Sequence, residues 1–559
     1  MAKFDGDESF LIKSTKGAQL LMFNQIFTKA VTFLLNNLLI RYLSPRVFGI
    51  NAFLEFLIST TLFFSREAIR LSTLRIKPVK SADGDEEGDE LDSKTLQTVV
   101  NFASVSIAIG IPLSIALIAW QCSNLNEFFL SLPYFKAAIL LVWLSIICEL
   151  LSEPFFIVNQ FILNYEVRSR FETIAVTLGC LMNFGIVWLH EKRFNGSGST
   201  LHDSAKQEGI AIAAFATSKF TYSLALLCCY YYDYFCKFRP NGTFSVFPVK
   251  LQISSGTQAY YLQADILQHF RKVYFQLCFK HLLTEGDKLI INSMCSVEEQ
   301  GIYSLLSNYG SLVTRLLFAP IEESLRLFLT RLLSVQSNKN LRLSMEVLIN
   351  LTRFYLYLSL LICVFGPTNS SFLLQFLIGS KWSSTSVLDT IRIYCFYLPF
   401  LSINGIFEAF FQSVASGEQI LKHSYAMMLF SGVFLSNCWV LISYFGMSLD
   451  GLILSNIINM VLRIAYCYWF INGFYKDLFL ETSDRKSFLL NFKNLKVASF
   501  ASICIALANF YFIGTVRNFK HLAINAVAAL GLLCLILYKE RQQIRALVQQ
   551  KSFAEQKEF

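Results

Sequence analysis

The sequence predicts an all-α integral membrane protein with about fourteen transmembrane helices. Two observations on its 559 residues lead there. Hydrophobic residues make up 54% of the chain and charged residues 16%, with a mean hydropathy of +0.48, whereas soluble domains run about a quarter charged. Apolar windows of about twenty residues, the length that crosses roughly 30 Å of hydrocarbon, recur along nearly the whole chain. The 54 Phe and 24 Tyr are spread along most of its length, which argues for one membrane-embedded body without a separate globular domain.

Taken in order, residues 1–17 form a polar cytosolic N-terminus. The apolar stretch after it is too long for a signal h-region and has no small-residue cleavage site, so it reads as a retained anchor. Six spans at 18–42, 47–65, 98–121, 135–163, 171–190 and 209–236 make an N-lobe over 18–236. A cytosolic loop at 237–271 leads to spans at 272–295, 302–330, 343–365, 389–413, 423–444 and 450–473, a C-lobe over 272–473. The seventh and eighth carry several charges, so hydropathy alone counts two fewer. A cytosolic loop at 474–494 precedes a final pair of spans at 495–514 and 519–538 and a cytosolic tail at 539–559.

Fourteen spans put both termini on one side. Loops on that side hold roughly thirty Lys and Arg against about seven on the other, which makes the termini cytosolic. The net charge of +9 is explained by this bias at helix ends and not by nucleic acid, since no basic run with interleaved aromatics stands outside the spans. The loop at 78–95 contains an acidic tract, Asp83 to Glu90, that reads as flexible and solvated. Sequons at Asn195 and Asn369 fall in expected lumenal loops, and one at Asn241 in a cytosolic loop. The fourteen cysteines lie mostly in apolar stretches without CxxC spacing and read as packing residues. A weak internal repeat matches Gln25-Ile-Phe-Thr-Lys29 and Gly49-Ile50 to Gln276-Leu-Cys-Phe-Lys280 and Gly301-Ile302, as two lobes related by a pseudo-two-fold axis would give.

Charged groups at mid-bilayer cost a few kcal/mol or more each, so those that persist should face a cavity or each other. Gln25, Lys29, Thr32 and Asn36 recur at i, i+4, i+7 and i+11 and line one helix face. Asn51, Glu55 and Ser59 repeat this in the second span, with Arg66 and Arg70 at its cytosolic end. Glu149, Glu153 and Gln160 share a face of the fourth span. The second lobe answers with Gln276, Lys280, Thr284, Glu285, Asp287 and Lys288, then with Asn308, Arg315, Glu322 and Arg326. Glu408 and Gln412 follow in the tenth span and Asn456, Asn459 and Arg463 in the twelfth. A central polar cavity accommodates these stripes as a substrate-binding set, and cations at several depths suit an anionic group such as phosphate. The alternative is pairing as structural glue, for example Glu322 with Arg326.

No GxxxxGK[ST], HExxH, GxSxG or GxGxxG string occurs, so nucleotide hydrolysis, zinc proteolysis and serine chemistry lack their parts. A lipid-linked glycosyltransferase needs lumenal acids, but the first lumenal loop, Leu43-Ser-Pro-Arg46, has none, and Glu127, Glu298 and Glu299 form no Asp-rich metal motif. No enzyme activity, metal, cofactor, nucleotide or nucleic acid is expected.

Several long strings carry a resemblance: Phe64-Ser-Arg-Glu-Ala-Ile-Arg70, Leu151-Ser-Glu-Pro-Phe-Phe-Ile-Val-Asn-Gln160, Leu282-Leu-Thr-Glu-Gly-Asp-Lys288, Phe318-Ala-Pro-Ile-Glu-Glu-Ser-Leu-Arg326, Phe376-Leu-Ile-Gly-Ser-Lys-Trp-Ser383 and Ile406-Phe-Glu-Ala-Phe-Phe-Gln412. With these the chain resembles the Rft family over nearly its whole length, and suits a fungal member. The resemblance implies an endoplasmic-reticulum membrane protein acting where a dolichol-linked oligosaccharide, a diphosphate bearing two N-acetylglucosamines and five mannoses, passes from the cytosolic to the lumenal leaflet. It also implies kinship in fold with bacterial lipid II flippases and multidrug and toxin extrusion carriers. In the flippases, cations on the first, second and eighth helices meet the diphosphate, and Lys29, Arg66 and Arg315 stand on the corresponding helices here. A monomer is expected. A chaperone that holds the lipid without flipping it, and an ion-coupled antiporter titrating Glu149, Glu153 or Glu408, remain as alternatives.

Overall fold

The structure, a computed structural model, describes residues 35, 37–74, 76, 93–124, 132–162, 164–194, 201–252, 259–284, 286–333, 337–378, 382, 385–480 and 493–555. The chain divides into two compact units, Met1–Lys288 and Leu289–Phe559. Unit 1 contains α1 (Pro45–Thr73), α2 (Ser93–Asn124), α3 (Phe135–Phe161), α4 (Tyr165–Phe194), α5 (Leu201–Asp233) and α6 (Ala264–Thr284). Between α5 and α6 a two-residue pair, β1 (Leu251–Gln252) and β2 (Ala259–Tyr260), runs antiparallel. The short helix α7 (Gly286–Met294) follows α6. Unit 2 continues with α8 (Val297–Val313), α9 (Ala319–Leu332), α10 (Asn338–Ile378), α11 (Val387–Val414), α12 (Gly417–Trp439), α13 (Ser448–Leu480), α14 (Lys493–Phe512) and α15 (Phe519–Glu555).

Eleven helices among the described residues are long and apolar enough to cross a membrane, and this is a multi-pass membrane protein. The three expected spans missing from the eleven are 18–42, which lies mostly outside the described residues, and 272–295 and 302–330, the two whose charges depress their hydropathy. The stretch 302–330 is not one straight helix. A π turn at Thr314–Phe318 separates α8 from α9, and Pro320 explains it. Its ring clashes with the carbonyl four residues back, which opens the helix by one residue. Lipid as solvent is written on the outer faces. Phe510, Tyr511 and Phe512 on α14 are each about four-fifths exposed, as is natural for groups facing acyl chains.

In unit 1, α3 packs on α5, α5 on α4, α2 on α1 and α3, and α6 on α1. Gly110 lets α2 approach closely, because a methyl there would strike Leu150 of α3 and Ser65 of α1. The cytosolic loop expected at 237–271 is not free. Gln97 and Asn101, both buried on α2, hold it by its backbone. Gln97 accepts from Ser245 N at 2.7 Å and donates to Phe247 O at 3.1 Å, while Asn101 accepts from Val249 N at 2.9 Å and donates to Val249 O at 2.7 Å. Amides suit this work because each offers donor and acceptor together. Phe244 and Phe270 then join the buried cluster of Val99, Phe102, Phe155 and Tyr230. The acidic tract Asp83–Glu90 lies outside the described residues.

In unit 2, α10 packs on α11, α11 on α13 and α9, and the pair α14 and α15 lies on α10 through Tyr357, Val364, Phe365, Ala498, Leu532 and Ile536. The sequon at Asn369 is not in a loop, as expected, but inside α10, where its side chain accepts from the buried Asn525 at 2.9 Å. Helices α1 and α8 are capped alike. Ser44 caps α1 through Val47 N, and Ser296 caps α8 through Glu299 N at 3.3 Å. Gly49 and Gly301 each follow their capping serine by five residues, the repeat noticed in the sequence.

Candidate functional site

Helix α1 carries Glu55, Arg66 and Arg70, α3 carries Glu149 and Glu153, and α5 carries Lys219 and Ser223. Arg66 and Arg70 are one turn apart, as are Glu149 and Glu153, so the two helices face each other rung by rung. Arg70 grips Glu153 through both oxygens, Nε to Oε1 and Nη2 to Oε2 at 2.7 Å. Arg66 Nη1 donates to Glu149 Oε2 at 2.9 Å and stands 4.0 Å from Glu153. The second oxygen of Glu149 accepts from Ser223 Oγ at 3.3 Å. The carboxylates are all but enclosed, Glu153 being 1% exposed. Beneath them the Phe156 ring lies 3.7 Å from the Arg70 guanidinium and 4.5 Å from that of Arg168. A third rung joins Lys219 Nζ to Glu55 Oε2 at 2.5 Å. Three cations thus meet three carboxylates, and the net charge of the ladder is zero.

In unit 2, Arg463 of α13 donates to Glu408 of α11 at 2.9 Å, and Asn404 and Gln412, one turn before and after, each donate to the same carboxylate at 3.2 Å. Glu322 of α9 lies directly on Gly405, where a methyl would overlap its carboxylate. Expected pairing of Glu322 with Arg326 is not what the described residues show. Arg326 is exposed and makes no close ion pair with Glu322, which rests on Gly405 of α11.

Of the residues expected from the sequence, then, Glu55, Arg66, Arg70, Glu149 and Glu153 come together in unit 1, and Glu408 and Arg463 in unit 2 with Glu322 one turn away. Gln25, Lys29, Asn36 and Glu285 lie outside the described residues. Lys280 falls in α6, Asp287 and Lys288 in α7 and Arg315 in the π turn, with side chains outside the described ones. Sequence reasoning missed Lys219, although it is the single Lys or Arg between 209 and 236 and an intramembrane cation is itself a signal. It also missed that Glu208 of α5 accepts from Ser44 at 3.1 Å, which places a carboxylate beside the loop read as lacking one. Among the described residues no group of His, Cys, Asp and Glu is arranged to hold a metal.

Helical units with charge buried in apolar spans fit many transporters, and similarity to known proteins decides among families. Residues 13–550 match the family model described as Rft protein. The chain belongs to the Rft protein family. This Rft family member is 60% identical over 99% of its length to the Man(5)GlcNAc(2)-PP-dolichol translocation protein RFT1 of Saccharomyces cerevisiae, and covers 98% of that relative. It is 60% identical to the protein of the same name from Kluyveromyces lactis, over 97% of this chain and 98% of the relative. At greater distance, the Xenopus tropicalis protein of that name is 29% identical over 84% of each chain. Among solved structures, an inward-facing multidrug resistance MATE family transporter of the MOP superfamily is similar with a TM-score of 0.50 and 13% identity, over 81% of this chain and 96% of that one. That likeness shows the shared fold of this Rft protein and nothing of its chemistry.

Proposed function

We propose that this chain moves a dolichol-diphosphate oligosaccharide, with two N-acetylglucosamines and five mannoses, from the cytosolic to the lumenal leaflet of the endoplasmic-reticulum membrane in N-glycan assembly. The observation that carries the reading is near full-length identity of 60% to relatives named for translocation of that lipid. The chain acts on the lipid without changing its covalent structure, and needs no metal, nucleotide or other cofactor. Fourteen spans in two related sixes and a final pair, with both termini cytosolic, is the arrangement this reading uses. It works as a monomer. Its polar stripes supply the site, with Lys29, Lys280, Lys288, Arg315, Arg326 and Arg463 for the diphosphate, Gln25, Asn36, Glu285, Asp287, Glu322 and Glu408 for sugar hydroxyls and for balancing charge, and Arg66, Arg70, Glu55, Glu149 and Glu153 to hold the helices that line it.

The test is leaflet exchange of the labelled lipid by purified protein in liposomes, with reversal of charge at Lys29 and Arg315 together as the inactive control. Exchange above protein-free vesicles that the double reversal abolishes supports translocation. Binding without exchange supports the second reading, a chaperone that holds the lipid for other proteins, which the saturated pairing of Arg66 and Arg70 favours. Ion-coupled antiport is the weaker course, since Glu149, Glu153 and Glu408 are each engaged by an arginine.

A further inference from the structure

The three rungs of the unit 1 ladder are not equivalent. The two arginine rungs are closed. Arg70 forks onto Glu153 and Arg66, itself 24% exposed, gives Nη1 to Glu149; these carboxylates are 1% and 9% exposed, and both oxygens of each are engaged. An arriving anion would have to strip a buried carboxylate of its partner, which is strongly unfavourable. The third rung is open. Lys219 Nζ meets Glu55 Oε2, and their side chains are 29% and 48% exposed. The order of charge also inverts there, because α1 gives the cation at the first two rungs and the carboxylate at the third.

Glu55 stands eleven residues before Arg66 on α1, about 16 Å along the helix axis. This places the open rung deep within the span, where a half-exposed carboxylate must meet water or a polar ligand. Lys219 does not depend on Glu55 alone, since its ammonium lies 5.5 Å from the centre of the Phe215 ring and has three donors to offer.

We propose that Lys219 is the mid-membrane ligand of the diphosphate, and that the diphosphate binds by taking Lys219 from Glu55. Arg66 and Arg70 are positioning residues that hold α1 against α3 and so set the height of Lys219's partner. This rests on the proposed function, and deepens it by naming the exchangeable pair. An ammonium suits the task better than a guanidinium because it is a compact charge without a bidentate lock on its carboxylate.

The experiment uses the full chain in nanodiscs, with dolichyl diphosphate as the probe and dolichol as its uncharged control, and reads affinity and thermal stability together. Glu55→Gln releases Lys219 and is expected to tighten dolichyl diphosphate binding about tenfold, while Lys219→Gln weakens it about tenfold. The double variant Glu55→Gln/Lys219→Gln keeps the ladder neutral, so it folds, and is expected to bind as weakly as Lys219→Gln. Lys219→Arg should recover part of the affinity. A purely structural pair would move both single variants in the same direction, in stability and in binding alike, and that result overturns the assignment. Equal binding by all variants overturns the role of Lys219 while leaving the proposed function standing. No preference of the unaltered protein for dolichyl diphosphate over dolichol overturns both.

Discussion

In unit 1 three cations and three carboxylates meet rung by rung, whereas in unit 2 Arg463 serves Glu408, two neutral amides complete that carboxylate's shell, and Glu322 rests on the bare backbone of Gly405. The contrast separates two ways of keeping charge in an apolar span. Full ionic pairing fixes two helices in register but makes each member indispensable to the other. Solvation by amides and close backbone contact leaves the helices less tightly coupled, at the expense of demanding a glycine where the acid lands. The ladder of unit 1 is therefore the more tightly held of the two networks, and the Lys219 rung is its most exposed step.

The largest effect that tests this contrast is expected from Glu153→Ala. It leaves Arg70, 15% exposed, facing an empty site, and should cost about 3–5 kcal/mol, enough to remove most folded protein. Thermal unfolding of the detergent-purified protein measures it, and a loss under 1 kcal/mol would show the rung to be dispensable. Next comes Gly405→Ala, which drives a methyl into the Glu322 carboxylate and should destabilise by about 1–3 kcal/mol. Shortening the acid in the double variant Gly405→Ala/Glu322→Ala should restore most of this loss, and failure to do so would mean that the glycine is needed for another contact. Glu408→Gln keeps the shape of the unit 2 network but removes its charge, and is expected to cost about 1–2 kcal/mol, less than the unit 1 change. A larger cost than for Glu153→Ala would reverse the comparison. The smallest effect is expected at Glu166 and Arg170, an exposed pair one turn apart on α4, where Glu166→Gln should shift stability by under about 0.5 kcal/mol.

Much of this was legible in the sequence. Apolar length placed the eleven helices that are long and apolar enough to span, and the stretches 272–295 and 302–330, which carry several charges, are not among them. The four-residue spacing of Arg66 with Arg70 and of Glu149 with Glu153 announced two matching faces, since a helix repeats its surface every turn. What stayed hidden depends on contacts distant in sequence. Nothing in 237–271 says that Gln97 and Asn101 hold its backbone, and nothing near Ser44 points to Glu208. Asn369 looks like a loop sequon until Asn525 is found against it. Lys219 is the exception, readable as a lone cation although it belongs to no polar stripe.

The helix α10 has 41 residues, roughly 60 Å at 1.5 Å per residue, about twice the hydrocarbon thickness. It is fastened to the last two helices at two heights. Tyr357 donates to Glu540 at 2.6 Å, with Asn494 on the same carboxylate, and further along Asn369 meets Asn525 while Thr368 O accepts from Val516 N. Two latches about 17 Å apart on one shaft leave little freedom to twist or slide. The C-terminal pair therefore travels with α10 as a single beam, and cutting the chain before Lys493 would lay bare one flank of that beam and not merely trim an appendage.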